Sequence, residues 1–352
     1  MAICDGSRGV RALSLLVNFG RPYDGPVLST VRTTLSWHPS PTAVRRAFLG
    51  ALVMNTVIVV TGGAVRLTAS GLGCPTFPRC TDDSLVVTRE MGAHGVIEFG
   101  NRMLTFVLTA AVLAAVVVAW RARRRDLLRP ALVLLAGILA QALLGGVTVL
   151  TGLNPVTVMA HFLLSIALIA VAVLAHERAG TAPVVGDRKH DTPEDGVRGE
   201  IRLGAWLLTA AVALVLALGT IVTGTGPHSG DKQAADRLPF DLETVTQIHA
   251  DLVFVVVGLT IGLLLAVRAS GTPGPLAGRL RVLLGVVLAQ GAVGYAQYLT
   301  DLPVLLVGVH VLGACLVWIG TVRTLLATGT RSGLRSASPA GSHPVPAWAA
   351  GR

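Results

Sequence analysis

Three histidines occur in hydrophobic stretches of the sequence, where ionisable side chains are rare. His161 and His310 each follow a glutamine, Gln141 and Gln290, by 20 residues, and His249 lies near the start of another apolar stretch. Ionisable side chains inside membrane spans are costly and usually functional. Neutral imidazole is a good iron ligand, and histidines from two helices can hold a heme between them. We therefore predict that His249 and His310 ligate heme, whereas a packing role is the alternative for any one histidine alone.

The first half of the sequence carries a different set of polar residues in the segment His94-Gly-Val-Ile-Glu98-Phe-Gly-Asn101-Arg102. On a helix, positions 94, 98 and 101 share one face. Alignment of the two glutamine–histidine repeats places Asn101 opposite His249, and asparagine is a poor iron ligand. A heme in this half would therefore be held by His161 alone, or by His161 together with His94.

Glu98 is the residue of this segment that most strongly indicates a reaction, because an acidic side chain in a span rarely lacks a function. A singly ligated iron beside a carboxylate could do chemistry, whereas a bis-histidine heme is coordinatively saturated and suited to electron transfer. The alternative for Glu98 is an ion pair with Arg66, Arg89 or Arg102. These arginines could equally bind heme propionates, since arginine binds carboxylates through two parallel hydrogen bonds.

Two of the four cysteines share one short loop, Cys74-Pro-Thr-Phe-Pro-Arg-Cys80. Disulfides persist on the oxidising side of a membrane, and this loop could close one. A zinc site would need about four ligands, and the loop offers two thiols and no histidine. Cys315, within a span, and Cys4, in the N-terminal tail, are predicted to be inert.

The elements that must position these residues are membrane-spanning helices. Of the 352 residues, 52% are hydrophobic and only 14% are charged, whereas soluble domains average about 25% charged residues. A bilayer core of roughly 30 Å needs about 20 apolar residues per helix. We predict eight spans, at residues 45–66, 93–120, 130–151, 157–177, 203–224, 244–268, 277–299 and 303–326.

Basic residues crowd alternate connections between the predicted spans. They precede the first span and follow the second, fourth, sixth and eighth, and include Arg45, Arg46, Arg121, Arg123, Arg124, Arg125, Arg129, Arg178, Arg268, Arg279, Arg281 and Arg323. The positive-inside rule makes those connections and both termini cytoplasmic, in a bacterial-type inner membrane. We therefore attribute the net charge of +10 to a basic cytoplasmic face that lies against anionic lipid. Nucleic acid is not an expected partner. The three histidines then lie at one depth, near the outer side.

The sequence repeats internally. Residues 133–141 match residues 282–290 almost letter for letter, and such repeats indicate the architecture. We predict an all-α membrane protein of two parallel-oriented four-helix bundles, related by a pseudo-two-fold axis along the membrane normal. The predicted divisions are a cytoplasmic tail (1–44), a first half (45–177), a cytoplasmic linker (178–202), a second half (203–326) and a disordered C-terminal tail (327–352).

These residues resemble the heme A synthase family of cytochrome oxidase assembly enzymes over roughly residues 45–326. The resemblance rests on the run Gly63-Ala-Val-Arg66-Leu-Thr-Ala-Ser-Gly71-Leu-Gly73-Cys74 leading into the paired-cysteine loop. It rests also on Glu98-x-x-Asn101-Arg102 and on the repeated spacing of glutamine and histidine.

The resemblance implies oxidation of the C8 methyl group of heme O to a formyl group, which makes heme A for cytochrome oxidase. It implies a heme b held by His249 and His310 in the second half. The substrate site that it implies lies in the first half and maps onto Glu98, Asn101 and His161, with Arg102 and His94 beside them.

The resemblance also implies that Cys74 and Cys80 form a disulfide or act in redox exchange. The family commonly has histidine where this chain has Asn101, so two axial ligands for the substrate heme are not expected. Expected partners are heme O, the lipid bilayer, an electron donor that the sequence does not identify, and a second copy of the chain; heme O synthase could be another. The alternative function is a membrane heme b cytochrome that transfers electrons without modifying heme.

Overall fold

The computed structural model describes residues 38–181, 196–228, 230–231, 236–270 and 274–329. Within these ranges there is no β-strand, and eight helices are long and apolar enough to cross a membrane, which confirms the all-α prediction and the number of spans. The helices are α1 (Pro41–Leu67), α2 (Gly92–Arg121), α3 (Arg125–Leu150), α4 (Pro155–Ala179), α5 (Gly196–Thr225), α6 (Leu242–Ala269), α7 (Pro275–Leu299) and α8 (Val304–Thr328).

Several helices begin at side chains that cap free backbone N–H groups. Ser40 accepts a hydrogen bond from the backbone N–H of Ala43 before α1, and Asn154 accepts one from Val156 before α4. Proline follows each cap at the first helical position, where its missing N–H costs nothing. Asp241 caps α6 by accepting from the backbone and hydroxyl of Thr244, and these bonds lower the pKa of its carboxyl group.

Two helices begin well before the predicted spans. Helix α3 starts at Arg125, because Asp126 favours the positive end of the helix dipole and is bonded by Arg124 at 2.7 and 2.8 Å. Helix α5 starts at Gly196, so the end of the predicted linker is helical. Residues 182–195 of that linker and most of both predicted tails lie outside the described residues.

The eight helices pack in two sets of four. In the first set, α1 and α3 each pack against both α2 and α4; in the second, α5 and α7 each pack against both α6 and α8. Fully buried apolar side chains fill each set, including Phe48, Leu134 and Ile169 in the first, and Leu208 and Leu280 in the second. Large apolar side chains also cover the outside of the helices, which is typical of helices that face lipid.

Helices α1 and α4 pack against α8, and α4 packs against α5, so the two sets share a contact surface. In its middle, the indole N–H of Trp318 donates to the carbonyl of Ile166 at 2.8 Å. At one end, Glu177 accepts hydrogen bonds from Arg279 and Arg323, each at 2.8 Å. We call this the arginine-rich end, and the opposite end, which carries Cys74 and Cys80, the cysteine-loop end.

Candidate functional site

Glu98 is buried in α2, with only 5% of its surface exposed. One carboxylate oxygen, Oε1, accepts from Arg102 Nε at 3.1 Å and from Arg102 Nη2 at 2.6 Å. The other, Oε2, accepts from the backbone N–H of Cys74 at 2.6 Å. The ion pair that was the alternative for Glu98 is thus present, formed with the arginine one turn further along the same helix face. Three N–H groups therefore donate to this carboxylate.

Arg102 also organises the loop between the two cysteines. Its guanidinium donates to three backbone carbonyls of the loop, those of Cys74 at 2.8 Å and of Thr76 and Arg79 at 3.1 Å each. Cys74 and Cys80 are buried and joined by a disulfide. Because these carbonyls and Glu98 occupy the planar donors of Arg102, this arginine holds the loop against α2 and is not free to bind a propionate.

Replacing Arg102 by lysine should loosen the loop, because a single ammonium group cannot reach three carbonyls and a carboxylate together. Losing two charged hydrogen bonds of about 1.5 kcal/mol each would raise the open fraction of the loop by roughly 100-fold. We expect faster trypsin cleavage after the exposed Arg79, measured by mass spectrometry of the peptides. Arg89→Lys, at the same end of the molecule, is the matched control; equal cleavage rates in both variants would contradict this assignment.

His94 and Asn101 contact residues near the end of α1. His94 has an exposed ring, and its Nδ1 lies 2.9 Å from the hydroxyl of Ser70. Asn101 Oδ1 accepts a hydrogen bond from the hydroxyl of Thr61 at 2.8 Å, about two turns before the end of the helix. His94 thus lies at the cysteine-loop end, where Glu98 meets Cys74, and Asn101 lies deeper in the helix set.

His161 and His310 occupy equivalent positions, about two turns after the starts of α4 and α8. In each ring Nδ1 is buried and has no hydrogen-bond partner among the described residues. The backbone carbonyl of each histidine accepts from a glutamine on the preceding helix, Gln141 at 3.1 Å and Gln290 at 2.7 Å. Among the described residues, no contact fixes the tautomer of either ring.

His249 lies at the corresponding depth in α6 and has its tautomer set by the backbone. Its Nδ1 lies 3.1 Å from the carbonyl oxygen of Val215, and because a carbonyl only accepts, Nδ1 must carry the proton. Such a second hydrogen bond is typical of metal-ligating histidines and leaves the Nε2 lone pair for the metal.

Sequence reasoning missed the hydrogen bonds that join the two helix sets at the cysteine-loop end. Arg66, one of the candidate propionate ligands, donates to the carbonyls of His228 at 2.7 Å and Thr223 at 3.0 Å. His228 in turn donates from Nε2 to the carbonyl of Leu302 at 3.0 Å. The acceptors are all backbone carbonyls, which every residue carries, so no sequence pattern could have indicated these pairs.

Eight helices that are long and apolar enough to cross a membrane define the class of the molecule, a multi-pass membrane protein. The family described as cytochrome oxidase assembly protein matches residues 45–322, and the chain belongs to that family. This confirms the resemblance drawn from the sequence motifs.

The chain is also similar to individual heme A synthases. That of Listeria welshimeri is 28% identical over 193 residues, which cover 54% of this chain and 60% of that protein. That of Lysinibacillus sphaericus is 28% identical over 182 residues, 51% of this chain and 57% of that protein. That of Geobacillus kaustophilus is 31% identical over 114 residues, 32% of this chain and 35% of that protein. The matched stretch thus spans at most 60% of the length of these curated relatives.

Proposed function

We propose that this protein is a heme A synthase, which oxidises the C8 methyl group of heme O to a formyl group for cytochrome oxidase. Membership of the cytochrome oxidase assembly family and similarity to heme A synthases support the proposal. The observation that carries it is the set of three imidazoles, His161, His249 and His310, at matching positions in their helices. In His249 the Val215 carbonyl holds Nδ1, which leaves Nε2 for iron.

The proposed architecture is two four-helix bundles, α1–α4 and α5–α8, related by a pseudo-two-fold axis along the membrane normal. The packing of the helices in two sets of four supports it, as does the equivalent depth of His161 and His310. We place the arginine-rich end and both termini in the cytoplasm of a bacterial-type cell, because basic residues stay inside. The disulfide then lies on the oxidising outer side.

The second helix set is the proposed heme b site, with His249 and His310 as axial ligands. A heme held by two imidazoles supplies one-electron transfer and has no open coordination position. The Val215 carbonyl keeps the His249 proton on Nδ1, and Gln290 holds the backbone of His310. Both contacts favour a fixed ring geometry, which lowers the reorganisation that accompanies electron transfer.

The first helix set is the proposed substrate site, with His161 as the one protein ligand of the heme O iron. Asn101 stands where the second set has His249, and His94 is bonded to Ser70, so His161 would be the one imidazole that holds the substrate heme. A heme held in this way would supply oxidation chemistry. Because the first set has Asn101 where the second has His249, we assign heme O oxidation to the first helix set and electron transfer to the second.

Glu98 is the proposed catalytic residue, acting through its charge. Conversion of a methyl to a formyl group removes four electrons and four protons when water supplies the oxygen, so positive charge develops at the reacting carbon. Both oxygens of Glu98 already accept N–H groups, which favours a fixed anion that stabilises this charge. A role as proton acceptor would require one of those bonds to break.

The purified full chain, supplied with heme O and an electron acceptor, should form heme A. Chromatography of the extracted hemes measures the conversion, and boiled protein is the control for spontaneous oxidation. A membrane heme b cytochrome, the alternative function, would bind heme and leave heme O unchanged. A protein that binds heme but leaves heme O intact would therefore contradict the proposed activity.

A further inference from the structure

A glycine faces each of the three imidazoles. A Cβ atom built on Gly145 would lie 3.2 Å from Cε1 of His161, and one built on Gly219 would lie 3.2 Å from Cε1 of His249. For Gly294 and His310 the corresponding distance is 3.3 Å. These distances are below ordinary van der Waals contact, so each ring occupies space that only glycine leaves open.

The fourth equivalent position has a glycine but no histidine. Asn101 accepts a hydrogen bond from the hydroxyl of Thr61 at 2.8 Å, and a Cβ built on the next residue, Gly62, would lie 3.9 Å from its Nδ2. That distance is ordinary van der Waals contact, whereas the Cβ distances at the three histidines are 3.2 to 3.3 Å. The tight contact with glycine therefore occurs at the three imidazoles and not at Asn101.

The backbone of two of these histidines is held as well as the ring. The amide of Gln290 donates to the carbonyl of His310 at 2.7 Å and occupies the space beside Gly313, where a Cβ would collide with it. Gln141 makes the same bond to His161 at 3.1 Å. Glutamine lies one turn before the glycine in both cases, so a single helical turn fixes the histidine backbone and the ring position together.

We propose that Gly145, Gly219 and Gly294 are positioning residues that set the rotation and depth of the ligand imidazoles, with Gln141 and Gln290 holding the backbone. The inference rests on the proposed function, because it concerns histidines that ligate iron. Without iron, an imidazole can turn by the few tenths of an ångström that an added Cβ demands. With iron bound at Nε2 the ring cannot turn, and the strain passes into the iron–nitrogen bond.

The first test compares Gly219→Ala and Gly294→Ala with Gly199→Ala and Gly291→Ala, controls on the same two helices where a Cβ meets open space. We expect the first pair to release heme b to apomyoglobin about 10- to 100-fold faster, the range for loss of a contact that orients a metal ligand. The low-spin electron paramagnetic resonance signal should shift as well. The controls should stay within about twofold of the wild type. Equal release rates in both pairs would overturn the inference.

The second test adds a ligand and does not depend on variants that lose heme. Asn101→His alone should convert the heme of the first half to a low-spin, bis-imidazole form, because Gly62 leaves space beside residue 101. Asn101→His combined with Gly62→Ala should give clearly less of that low-spin form. If the single and double variants give the same spin state, glycine does not position the ring. If the wild type holds no heme at all, the proposed function fails and this inference fails with it.

Discussion

Glu98→Gln is expected to lower the rate of heme A formation by about 100- to 1,000-fold, the effect of removing one preorganised electrostatic contact from an active site. Glutamine keeps the size of the side chain and one oxygen for the Cys74 N–H, but it removes the negative charge. Heme b content should match the wild type, because Glu98 lies in the first helix set. Turnover of heme O and pyridine hemochrome spectra measure the two quantities on one preparation.

The controls for Glu98→Gln separate the effect of the lost negative charge from the effect of a disturbed structure. Glu98→Asp keeps the charge and should retain more activity than Glu98→Gln, whereas Glu90→Gln alters an exposed acid at the same end and should have no effect. Trypsin cleavage after Arg79 reports on the loop that Glu98 helps to hold. Full heme A formation by Glu98→Gln would rule out the catalytic role, and a loss of activity only as large as that in Arg102→Lys would assign Glu98 to holding the loop.

His249→Ala and His310→Ala are each expected to remove most heme b from the purified protein. Each variant removes one of the two imidazoles that would hold this heme. The affinity for heme should therefore fall by more than the roughly 10- to 100-fold expected when a contact that only orients a metal ligand is lost. The Soret absorbance per protein and the low-spin signal measure the loss. His161→Ala should keep this heme and lose retention of heme O instead.

The two proposed sites are distinguished by which heme each variant loses. His176→Gln, near the arginine-rich end of α4, is the matched control and should retain the hemes of the wild type. If His249→Ala and His310→Ala leave the bound pigment unchanged, these imidazoles do not ligate iron. If His161→Ala depletes the same heme as they do, the division into a substrate site and a heme b site is wrong.

The helices could be predicted from the sequence because a bilayer sets one strong rule, about 20 apolar residues per span. All eight helices were found, and the two largest differences in their starting points have local causes. Polar residues begin α5 at Gly196, where a hydropathy pattern gives no signal. Arg124 and Asp126 extend α3 to residues before Pro130, the residue at which the apolar pattern alone places the start of the span. Most of both predicted tails and much of the linker lie in parts of the chain that the structure does not describe.

The candidate site could be predicted only in part from the sequence. Spacing on a helix indicated the Glu98–Arg102 pair, since residues four apart share a face, and the short cysteine loop indicated the disulfide. The additional bonds of Arg102, and those from Gln141 and Gln290 to the histidine carbonyls, end on backbone oxygens. Backbone acceptors carry no side-chain signature, so the repeated spacing of glutamine and histidine was visible while its physical cause was not.

Extraction of hemes from membranes in which the full chain is produced together with a source of heme O tests the central claim most directly. The account predicts that heme A is found in the extract, that it is absent when Glu98→Gln replaces the wild type, and that heme b copurifies with both proteins. An extract from the wild type that contains heme b and heme O but no heme A would contradict it.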